Sequence, residues 1–280
     1  MRLGLIYTLV SVENKLLIQE AEKAGVELQR IVDSDLNLEI TNPKENYDLL
    51  YQRSVSYTRS LWITQYFENA GVNVINTLNS QHICGDKAFT SQLLAKNKVP
   101  TPKTFVAFSE KEALNAIEKL GYPCVIKPVV GSWARMVHKI NDRHSAEALI
   151  DSRNEMGNPW QKIYYLQEYI EKPGRDIRAF LVGDEVICAI YRTSPHWITN
   201  TAQGGIASNC PVTDELRELV LKSSKILDKG IYGVDVMECG DNSLTVHEIN
   251  HSVEFRNSIK PTGVNIPQKM IEFLVSEAKR

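Results

Sequence analysis

The chain has 280 residues and a mass of 31.7 kDa, and 43% of its residues are hydrophobic while 24% are charged. This composition is typical of a globular protein and excludes a disordered or fibrous chain. The 32 basic and 34 acidic residues give a formal charge of −2, without the basic excess of a nucleic-acid-binding protein, so we expect no nucleic-acid partner.

The first third of the sequence alternates between short apolar segments and amphipathic ones. The pattern predicts strands at 3–10, 26–32, 47–52 and 72–76, with helices at 13–24 and 58–70. Such alternation favours a small parallel sheet covered by helices. The sequence has neither G-x-G-x-x-G after the first strand nor G-x-x-x-x-G-K-[ST] anywhere. This argues against an ordinary dinucleotide dehydrogenase or a P-loop enzyme.

The rest of the chain is predicted to continue as mixed helices and strands. Asp86 is the candidate N-cap of a helix over 85–97, and two prolines in 99–105 predict an extended linker. Further predicted elements are a helix at 109–120, strands at 123–128 and 136–140, and a helix near 144–153. The last third is expected to contain mostly strands with tight turns, followed by a closing helix near 266–279.

The cysteine pattern and the apolar runs bear on the cellular compartment. Five cysteines occur without any C-x-x-C pair, which argues against a disulfide framework or a structural zinc site. We therefore expect free thiols in a reducing cytoplasm.

Residues 1–15 have no A-x-A-like cleavage pattern and are expected to begin a strand rather than form a signal peptide. No apolar run approaches the ~20 residues that a membrane span needs, so we expect no membrane partner.

The most informative pattern lies in 231–250, which reads as two strands joined by a turn. With the turn centred between 241 and 242, Asp235 lies opposite Glu248, with Cβ atoms about 4.5–5.5 Å apart. Asn250 shares this face, whose remaining residues are predicted to be Met237, Cys239, Leu244 and Val246. Facing carboxylates destabilise a strand pair unless a cation neutralises them, and oxygen ligands suit Mg²⁺. The alternative is an acidic pair exposed to water.

Residues 247–251 also match H-E-x-x-H, the zinc-protease pattern. That motif requires a helix, which brings its two histidines to one side. The alternating sequence here predicts a strand instead, in which they lie about 13 Å apart at ~3.4 Å per residue. Zinc–nitrogen bonds of about 2 Å cannot span that distance. A zinc hydrolase is therefore disfavoured unless the segment is helical.

Two lysines and a loop are candidates for phosphate binding. Lys87 follows Asp86 at a helix start, and Lys127 ends an apolar strand. A lysine at the end of a buried strand is unfavourable unless it meets an anion, for which phosphate is suitable. The alternative is a lysine whose amine reaches solvent. The loop after the strand contains small residues whose N–H groups can close over phosphates; it comprises Gly131, Ser132, Trp133, Ala134 and Arg135.

Further polar groups cluster between 165 and 205. A strand ends with polar groups that suit adenine and ribose, namely Gln167, Glu168, Tyr169 and Ile170. Arg175, Arg178 and Arg192 lie near one predicted sheet, which favours forked recognition of carboxylate or phosphate, although isolated arginines are more often surface charges. The loop at 196–205 is rich in polar and aromatic residues and is either functional or a plain turn.

In this order, the motifs resemble those of the ATP-grasp ligases, specifically the RimK-like branch, over essentially the whole chain. The matching positions are Asp86-Lys87, 125–128, 131–133, 167–169, 174–178, Arg192, Asp235, Glu248 and Asn250. The resemblance implies an α/β (α+β) fold in three parts. These are an N-terminal Rossmann-like α/β domain (1–84), a central lid domain (85–165) and a C-terminal antiparallel-sheet domain (166–280).

The resemblance also implies roles for individual residues. ATP would be bound by Lys87, Lys127, Gly131, Ser132, Trp133, Ala134, Arg135, Gln167, Glu168, Tyr169, Ile170, Asp176, Arg178 and Arg192. Two Mg²⁺ ions would be held by Asp235, Glu248 and Asn250. Arg178 and Arg192 would be catalytic, Arg192 by stabilising charge on an acyl phosphate and the following tetrahedral intermediate. Substrate contacts are implied for Arg192, Asn200, Thr201, Asn257 and Ser258.

Within the branch, the chain resembles the α-aminoadipate–LysW ligases of lysine biosynthesis. These join the α-amino group of α-aminoadipate to the C-terminal glutamate of the small carrier protein LysW. Two segments carry this closer resemblance, HWITNTAQGG at 196–205 and EFRNS at 254–258, which ends in Asn257-Ser258. The α-aminoadipate ligases have Asn-Thr or Asn-Ser at the latter site, whereas glutamate-specific relatives have Gly-Phe. We expect a cytoplasmic homo-oligomer, a dimer or tetramer.

Three other functions stay open. Two are ligases: a glutamate–LysW ligase of arginine biosynthesis, and a RimK-type glutamate ligase acting on another protein or peptide. The third is a nucleotide-binding module without ligase activity. Because carriers of the LysW type have acidic tails, a basic channel would attract them; its candidate residues are Arg175, Arg178, Arg192, Arg256 and Lys260.

Overall fold

The N-terminal part of the chain forms a parallel sheet. The computed structural model describes residues 1–156, 158–200 and 204–279. The strands β1 (Leu3–Tyr7), β2 (Leu28–Val32), β3 (Leu49–Arg53) and β4 (Asn73–Ile75) are arranged in the order β2-β1-β3-β4. Helices α1 (Val12–Lys23) and α2 (Tyr57–Asn69) begin at serine N-caps, Ser11 and Ser56, which accept backbone N–H bonds. Every residue of β1 and β3 is buried, as expected for central parallel strands.

The middle part is an antiparallel sheet. Helices α3 (Leu78–Gly85) and α4 (Lys87–Lys96) precede it. The strands β5 (Thr104–Ala107), β6 (Cys124–Lys127), β7 (His138–Ile140) and β8 (Tyr164–Glu168) have the order β5-β8-β6-β7. Helices α5 (Glu110–Leu120) and α6 (Arg143–Glu155) pack on one face and form a separate hydrophobic core with it.

The C-terminal part contains the largest sheet. The strands β9 (Arg175–Val182), β10 (Glu185–Thr193), β11 (Ile206–Cys210), β12 (Ile231–Glu238) and β13 (Leu244–Asn250) have the order β11-β10-β9-β12-β13 and are antiparallel. The helices here are α7 (Asp214–Ser224), α8 (Arg256–Thr262) and α9 (Ile266–Ala278). One hydrophobic core joins this sheet to the N-terminal part, with Leu5 and Tyr51 in the same cluster as Phe180 and Phe255.

Most of the predicted elements are confirmed. The N-terminal sheet is parallel, and Asp86 caps α4 by accepting from the N–H groups of Ala88 and Phe89. Four elements of the structure were not predicted from the sequence: α3, β5, α7 and α8. For α7 the helical period was present, since Leu216, Leu219 and Val220 are all buried. The three-domain division stays a prediction. No helix among the described residues has the length and apolarity that a bilayer crossing requires.

Candidate active site

A cavity of about 620 Å³ separates the middle sheet from the C-terminal sheet and reaches the carboxyl ends of β1 and β3. The predicted site residues that line it are Lys87, Lys127, Gly131, Ser132, Trp133, Ala134, Arg135, Gln167, Glu168, Tyr169, Ile170, Asp176, Arg178, Arg192, Asn200, Asp235, Glu248 and Asn250. Asn257 and Ser258 line a small adjoining pocket, to which Arg178 and Arg192 also contribute. Thr201 lies outside the described residues.

The hairpin of β12 and β13 places the two predicted carboxylates together. Asp235 and Glu248 are direct cross-strand partners, as predicted. However, the register shifts by one residue next to them, because β13 contains an extra residue, His247, which has no partner on β12. The turn is centred on Asp241 rather than between 241 and 242, which by itself would shift the pairing by one residue. The bulge shifts the pairing back, so Asp235 still lies opposite Glu248. The predicted pair is therefore correct although the predicted turn is not.

The bulge also changes which residues share the cavity face. Both His247 and Glu248 line the cavity, and so does Met237. Val246 and Leu244 instead belong to the hydrophobic core on the opposite face of the sheet. Their predicted placement beside Glu248 was wrong because a regular two-residue alternation was assumed across the bulge. The segment containing H-E-x-x-H is a strand up to Asn250, as predicted, so the helical geometry of the zinc motif is not present.

Asp235 is buried, and two arginines balance its charge. Its partner on β9, Arg178, donates from Nε and Nη2 to the two carboxylate oxygens at 2.7 and 2.8 Å. Arg192 Nη2 lies 3.3 Å from Oδ2. Burial by itself raises the pKa of Asp235, but the charges of Arg178 and Arg192 outweigh burial and hold this pKa below its ordinary value. Asp235 is therefore a carboxylate at neutral pH.

Arg192 is the centre of a buried charged network. Its Nε donates to Asp176 Oδ1 at 2.6 Å, and only 3% of its side chain is exposed. Burial lowers the pKa of Arg192, but Asp235 and Asp176 together raise it above the ordinary value. Thr199 also donates to Asp176, and the ammonium of Lys172 lies 3.5 Å from Asp176 while donating to Thr199 at 2.7 Å. Arg192 is thus a fixed cation in the cavity wall.

The other predicted metal ligands lie beside this network. Asn250 Nδ2 donates to Asp235 Oδ2 at 3.3 Å. Glu248 is 22% exposed, and its Oε1 lies 3.8 Å from the Lys87 ammonium. Lys87 in turn donates to the carbonyl of Gly131 at 2.7 Å. The carboxylates of Asp235 and Glu248 and the amide of Asn250 therefore border the same cavity as Lys87, the first residue of α4.

Lys127 is a buried cation at the end of β6. Its ammonium donates to Gln167 Oε1 at 2.7 Å and lies 3.2 Å from His247 Nδ1. Burial lowers the pKa of Lys127 to about 7, the charge of Glu248 opposes this shift, and that of Lys87 adds to it. No carboxylate oxygen of the described residues lies within 4.0 Å of this ammonium. Of the two alternatives left open by the sequence, the structure has the buried lysine, at 5% exposure, rather than one whose amine reaches solvent.

The loop after β6 crosses the cavity. Trp133, Ala134 and Met136 have φ angles of 56°, 55° and 57°, in the left-handed region that residues with a Cβ rarely adopt. Trp133 Nε1 donates to Glu254 Oε1 at 3.0 Å, and the guanidinium of Arg135 stacks 5.0 Å from the Trp133 ring. The loop is thus tied to the C-terminal part of the chain.

The residues predicted to hold adenine lie on β8 and just after it. Gln167 Nε2 donates to Tyr165 and Thr104 hydroxyls at 2.9 and 3.0 Å. Glu168 Oε1 accepts from the backbone N–H of Lys103 at 2.6 Å. These side chains are therefore held within the middle sheet while lining the cavity, and their role toward adenine stays a prediction.

Several cavity residues were not found by sequence reasoning. Arg53, Asn14 and Glu13 come from the N-terminal sheet and α1, Lys172 lies just before β9, and His247 is the bulge residue. His247 was noted only as part of the rejected zinc motif, and no motif singles out the other four, which come from separate elements that meet only in the folded chain. Arg53 is buried at the end of β3, but it lies one residue beyond the strand predicted at 47–52 and follows the polar Gln52, so the sequence pattern did not mark it.

Two family models together cover almost the whole chain. The LysX preATP-grasp domain matches residues 3–83, and the RimK-like ATP-grasp domain matches residues 84–274. The chain belongs to the RimK-like ATP-grasp family.

Relatives of this ATP-grasp chain are ligases. The α-aminoadipate–LysW ligase LysX of Saccharolobus solfataricus is 38% identical over 264 residues, covering 93% of this chain and 96% of the relative. The glutamate–LysW ligase ArgX of Sulfurisphaera tokodaii is 34% identical over 276 residues, covering 98% of each. A RimK domain ATP-grasp protein of Sphaerobacter thermophilus superposes with a TM-score of 0.81 at 22% identity, covering 98% of this chain and 100% of that one. The predicted fold and enzyme class are confirmed: the chain is an ATP-dependent ATP-grasp ligase.

The cavity fits the nucleotide and the cation that ATP-grasp ligases use. About 620 Å³ lies within the range of small-molecule sites, roughly 300–1,000 Å³. The buried ammonium of Lys127 lacks a carboxylate partner among the described residues and suits a phosphate. Asp235, Glu248 and Asn250 would hold Mg²⁺ through oxygen atoms, and the cation would neutralise phosphate charge when bound.

Proposed function

We propose that this enzyme joins the α-amino group of α-aminoadipate to the γ-carboxyl group of the C-terminal glutamate of a LysW-type carrier protein, with cleavage of ATP to ADP and phosphate. The observation that carries the proposal is the similarity to LysX relatives of 36–38% identity over at least 93% of this chain. The pocket beside Arg178 and Arg192 contains Asn257-Ser258, the pair that the resemblance associates with α-aminoadipate.

The reaction divides into two steps at the same site. First the carrier carboxylate attacks the γ-phosphate of ATP, which gives an acyl phosphate and ADP; then the amino group of α-aminoadipate attacks the acyl carbon and phosphate leaves. Phosphoryl transfer needs positioning and charge neutralisation more than covalent help from the protein. Lys87 and Lys127 would supply positive charge to the phosphates.

Arg192 is suited to the second step. Its guanidinium is buried and held by Asp176 and Asp235, so it can face developing negative charge without reorganising. We assign it the stabilisation of the tetrahedral intermediate, and Arg178, which is fixed to Asp235 by two hydrogen bonds, the orientation of the amino-acid substrate. We further propose a cytoplasmic homo-oligomer, a dimer or tetramer, that uses two Mg²⁺ ions.

The test supplies purified enzyme with ATP, Mg²⁺, carrier protein and either α-aminoadipate or glutamate. We expect ADP release and a carrier mass increase of one α-aminoadipate residue, with little product from glutamate. The converse result would overturn the proposal in favour of the glutamate–LysW activity, which the 34% identity to ArgX keeps as the second candidate.

A double variant, Asn257→Gly with Ser258→Phe, tests the basis of selectivity. Ser258 is buried in the small pocket, and a phenylalanine there would shorten it. Because α-aminoadipate is one methylene longer than glutamate, we expect the ratio of kcat/KM to move toward glutamate by about 10- to 100-fold. An unchanged ratio would show that this pocket does not hold the substrate side chain.

A further inference from the structure

The cavity extends to a crevice in the N-terminal sheet that the nucleotide chemistry does not use. The strands β1 and β3 are neighbours, but β1 continues through α1 to β2 on one side while β3 lies on the other. Ligands of open parallel sheets bind at this kind of reversal, outside the carboxyl ends of the strands. The cavity is lined there by Leu9 after β1, by Asn14 of α1, and by Arg53 and Val55 at the end of β3.

Arg53 is a buried cation in this crevice that has only neutral partners. Its side chain is almost completely enclosed. Its Nε donates to Asn14 Oδ1 at 2.8 Å, Nη1 to the Tyr51 hydroxyl at 3.1 Å, and Nη2 to the carbonyl of Val253 at 3.1 Å. In the part of the chain that the structure describes, no carboxylate lies within ion-pair distance of Arg53. Glu13, which also lines the cavity, is instead 3.9 Å from Arg256.

The hydrogen-bonding capacity of Arg53 indicates the missing partner. A guanidinium has five N–H donors, and three of them are bonded here. One donor is left on Nη1 and one on Nη2, enough for two hydrogen bonds to an incoming carboxylate. A buried charge that has only neutral contacts is unfavourable, and an arriving carboxylate would remove that penalty.

We propose that Arg53 binds the α-carboxylate of the C-terminal residue of the protein acceptor, while the γ-carboxyl group of the same residue reacts. This assignment rests on the proposed function. The amino-acid substrate is already assigned to the pocket at Asn257-Ser258, and the phosphates to the lysines of α4 and β6. Leu9 and Val55, which are 71% and 58% exposed, form the solvent side of the crevice, as a chain end entering from outside requires.

The test compares two peptides that reproduce the acceptor's C-terminal segment. One ends in a free α-carboxylate and the other in an α-carboxamide, and both keep the γ-carboxylate. With the wild-type enzyme, we expect amidation to weaken binding by about 10- to 100-fold, the range for a hydrogen bond to a charged group. Arg53→Gln should bind both peptides equally weakly, and Arg53→Lys should keep part of the difference, because it retains the charge without the fork.

The controls separate this assignment from general damage. Arg53 ties β3 to Val253, so Arg53→Gln is checked by its ATP affinity, which should match the wild type. Arg30→Gln, on the exposed part of β2, should keep the full effect of amidation. The wild-type comparison of the two peptides does not depend on any variant folding.

Three results would overturn the assignment. The first is a wild-type enzyme that binds both peptides alike. The second is an Arg53→Gln variant that retains the full amidation effect. The third is an Arg53→Gln variant in which only the KM for the amino-acid substrate rises. If the wild-type enzyme binds ATP but neither peptide, the proposed acceptor is wrong, and the role of Arg53 fails with it.

Discussion

Lys127 shows how a single buried charge prepares the cavity for an anion. Its ammonium is enclosed by neutral groups, Gln167 and His247, and burial lowers its pKa to about 7. A phosphate beside it would favour the charged form, and nucleotide binding is therefore coupled to proton uptake. The sequence indicated this lysine as a phosphate-binding candidate because it ends an apolar strand, but only the folded structure shows that it is buried.

The direction of the coupling between phosphate binding and proton uptake at Lys127 predicts how ADP affinity depends on pH. As pH rises above 7, a growing fraction of Lys127 is neutral in the free enzyme and must take up a proton when the phosphates bind. Affinity for ADP should therefore fall as pH rises from 7.5 to 9.5, by up to about tenfold per unit, the limit for one proton. Lys127→Arg should remove this slope, since a guanidinium stays charged. Calorimetry in two buffers of different ionisation heat measures the proton uptake, and its absence in the wild type would contradict the prediction.

Only one of the contacts of Asp235 could be predicted from the sequence. Its pairing with Glu248 followed from a local hairpin. Its bidentate contact with Arg178 depends on β9 lying beside β12, and Arg192 reaches it from β10. Strand order in an antiparallel sheet is not readable from periodicity. The sequence therefore supplied the three arginines as anion-binding candidates but not the carboxylates they contact.

At the scale of elements, the bulge in β13 decides which side chains face the cavity. The extra residue, His247, lets two successive side chains line the cavity opposite Asp235, whereas a regular strand would turn one of them away. Short turns and bulges shift a register by a single residue, and the sequence pattern alone does not separate the two. This explains why the pair was predicted correctly while the residues nearer the turn were assigned to the wrong face.

Deleting His247 tests the role of the bulge. A regular ladder would then join Val236–Val246 to Asp235–Glu248 without a break, so we expect the protein to fold and keep the carboxylate pair while Lys127 loses its imidazole neighbour. ATP affinity should decrease, whereas thermal unfolding monitored by circular dichroism should stay cooperative.

Deletion of Ile249 is the matched control for the bulge. It removes a fully buried side chain and, by a one-residue slip, turns Asn250 to the opposite face. This variant should lose about 2–5 kcal/mol of unfolding free energy through the lost core residue. If both deletions destabilise equally, the bulge is part of the core structure rather than a device that adds a cavity residue.

At the scale of the whole molecule, the net charge is close to zero although the basic side chains are unevenly distributed. The net charge is −2, yet three basic side chains, Arg53, Lys127 and Arg192, are buried around one cavity. Not every predicted basic residue belongs there. Arg175 forms two hydrogen bonds with Glu238 and does not line the cavity, so its charge is locally balanced. The predicted channel for an acidic tail is therefore reduced to the residues next to the cavity and on α8.

The charges of Arg256 and Lys260 on α8 should steer an acidic carrier tail toward the cavity. Both residues are exposed, and exposed charges act mainly on association rate and salt dependence. We expect Arg256→Glu with Lys260→Glu to slow carrier association by about tenfold or more at low ionic strength, and to flatten the decrease of the rate with added salt. Stopped-flow association at several salt concentrations measures both effects.

The control for steering reverses two exposed charges that line neither pocket, Arg30→Glu with Lys23→Glu. Arg30 and Arg256 have equally exposed side chains, at 57%, and the two double variants change the net charge by the same amount. If net charge alone governed association, both would slow it equally. Steering by a local basic surface requires the α8 variant to be slower, with the salt dependence of the control close to that of the wild type. Equal rates for the two variants would show that the whole-molecule charge, rather than the placement of Arg256 and Lys260, governs the approach of the carrier.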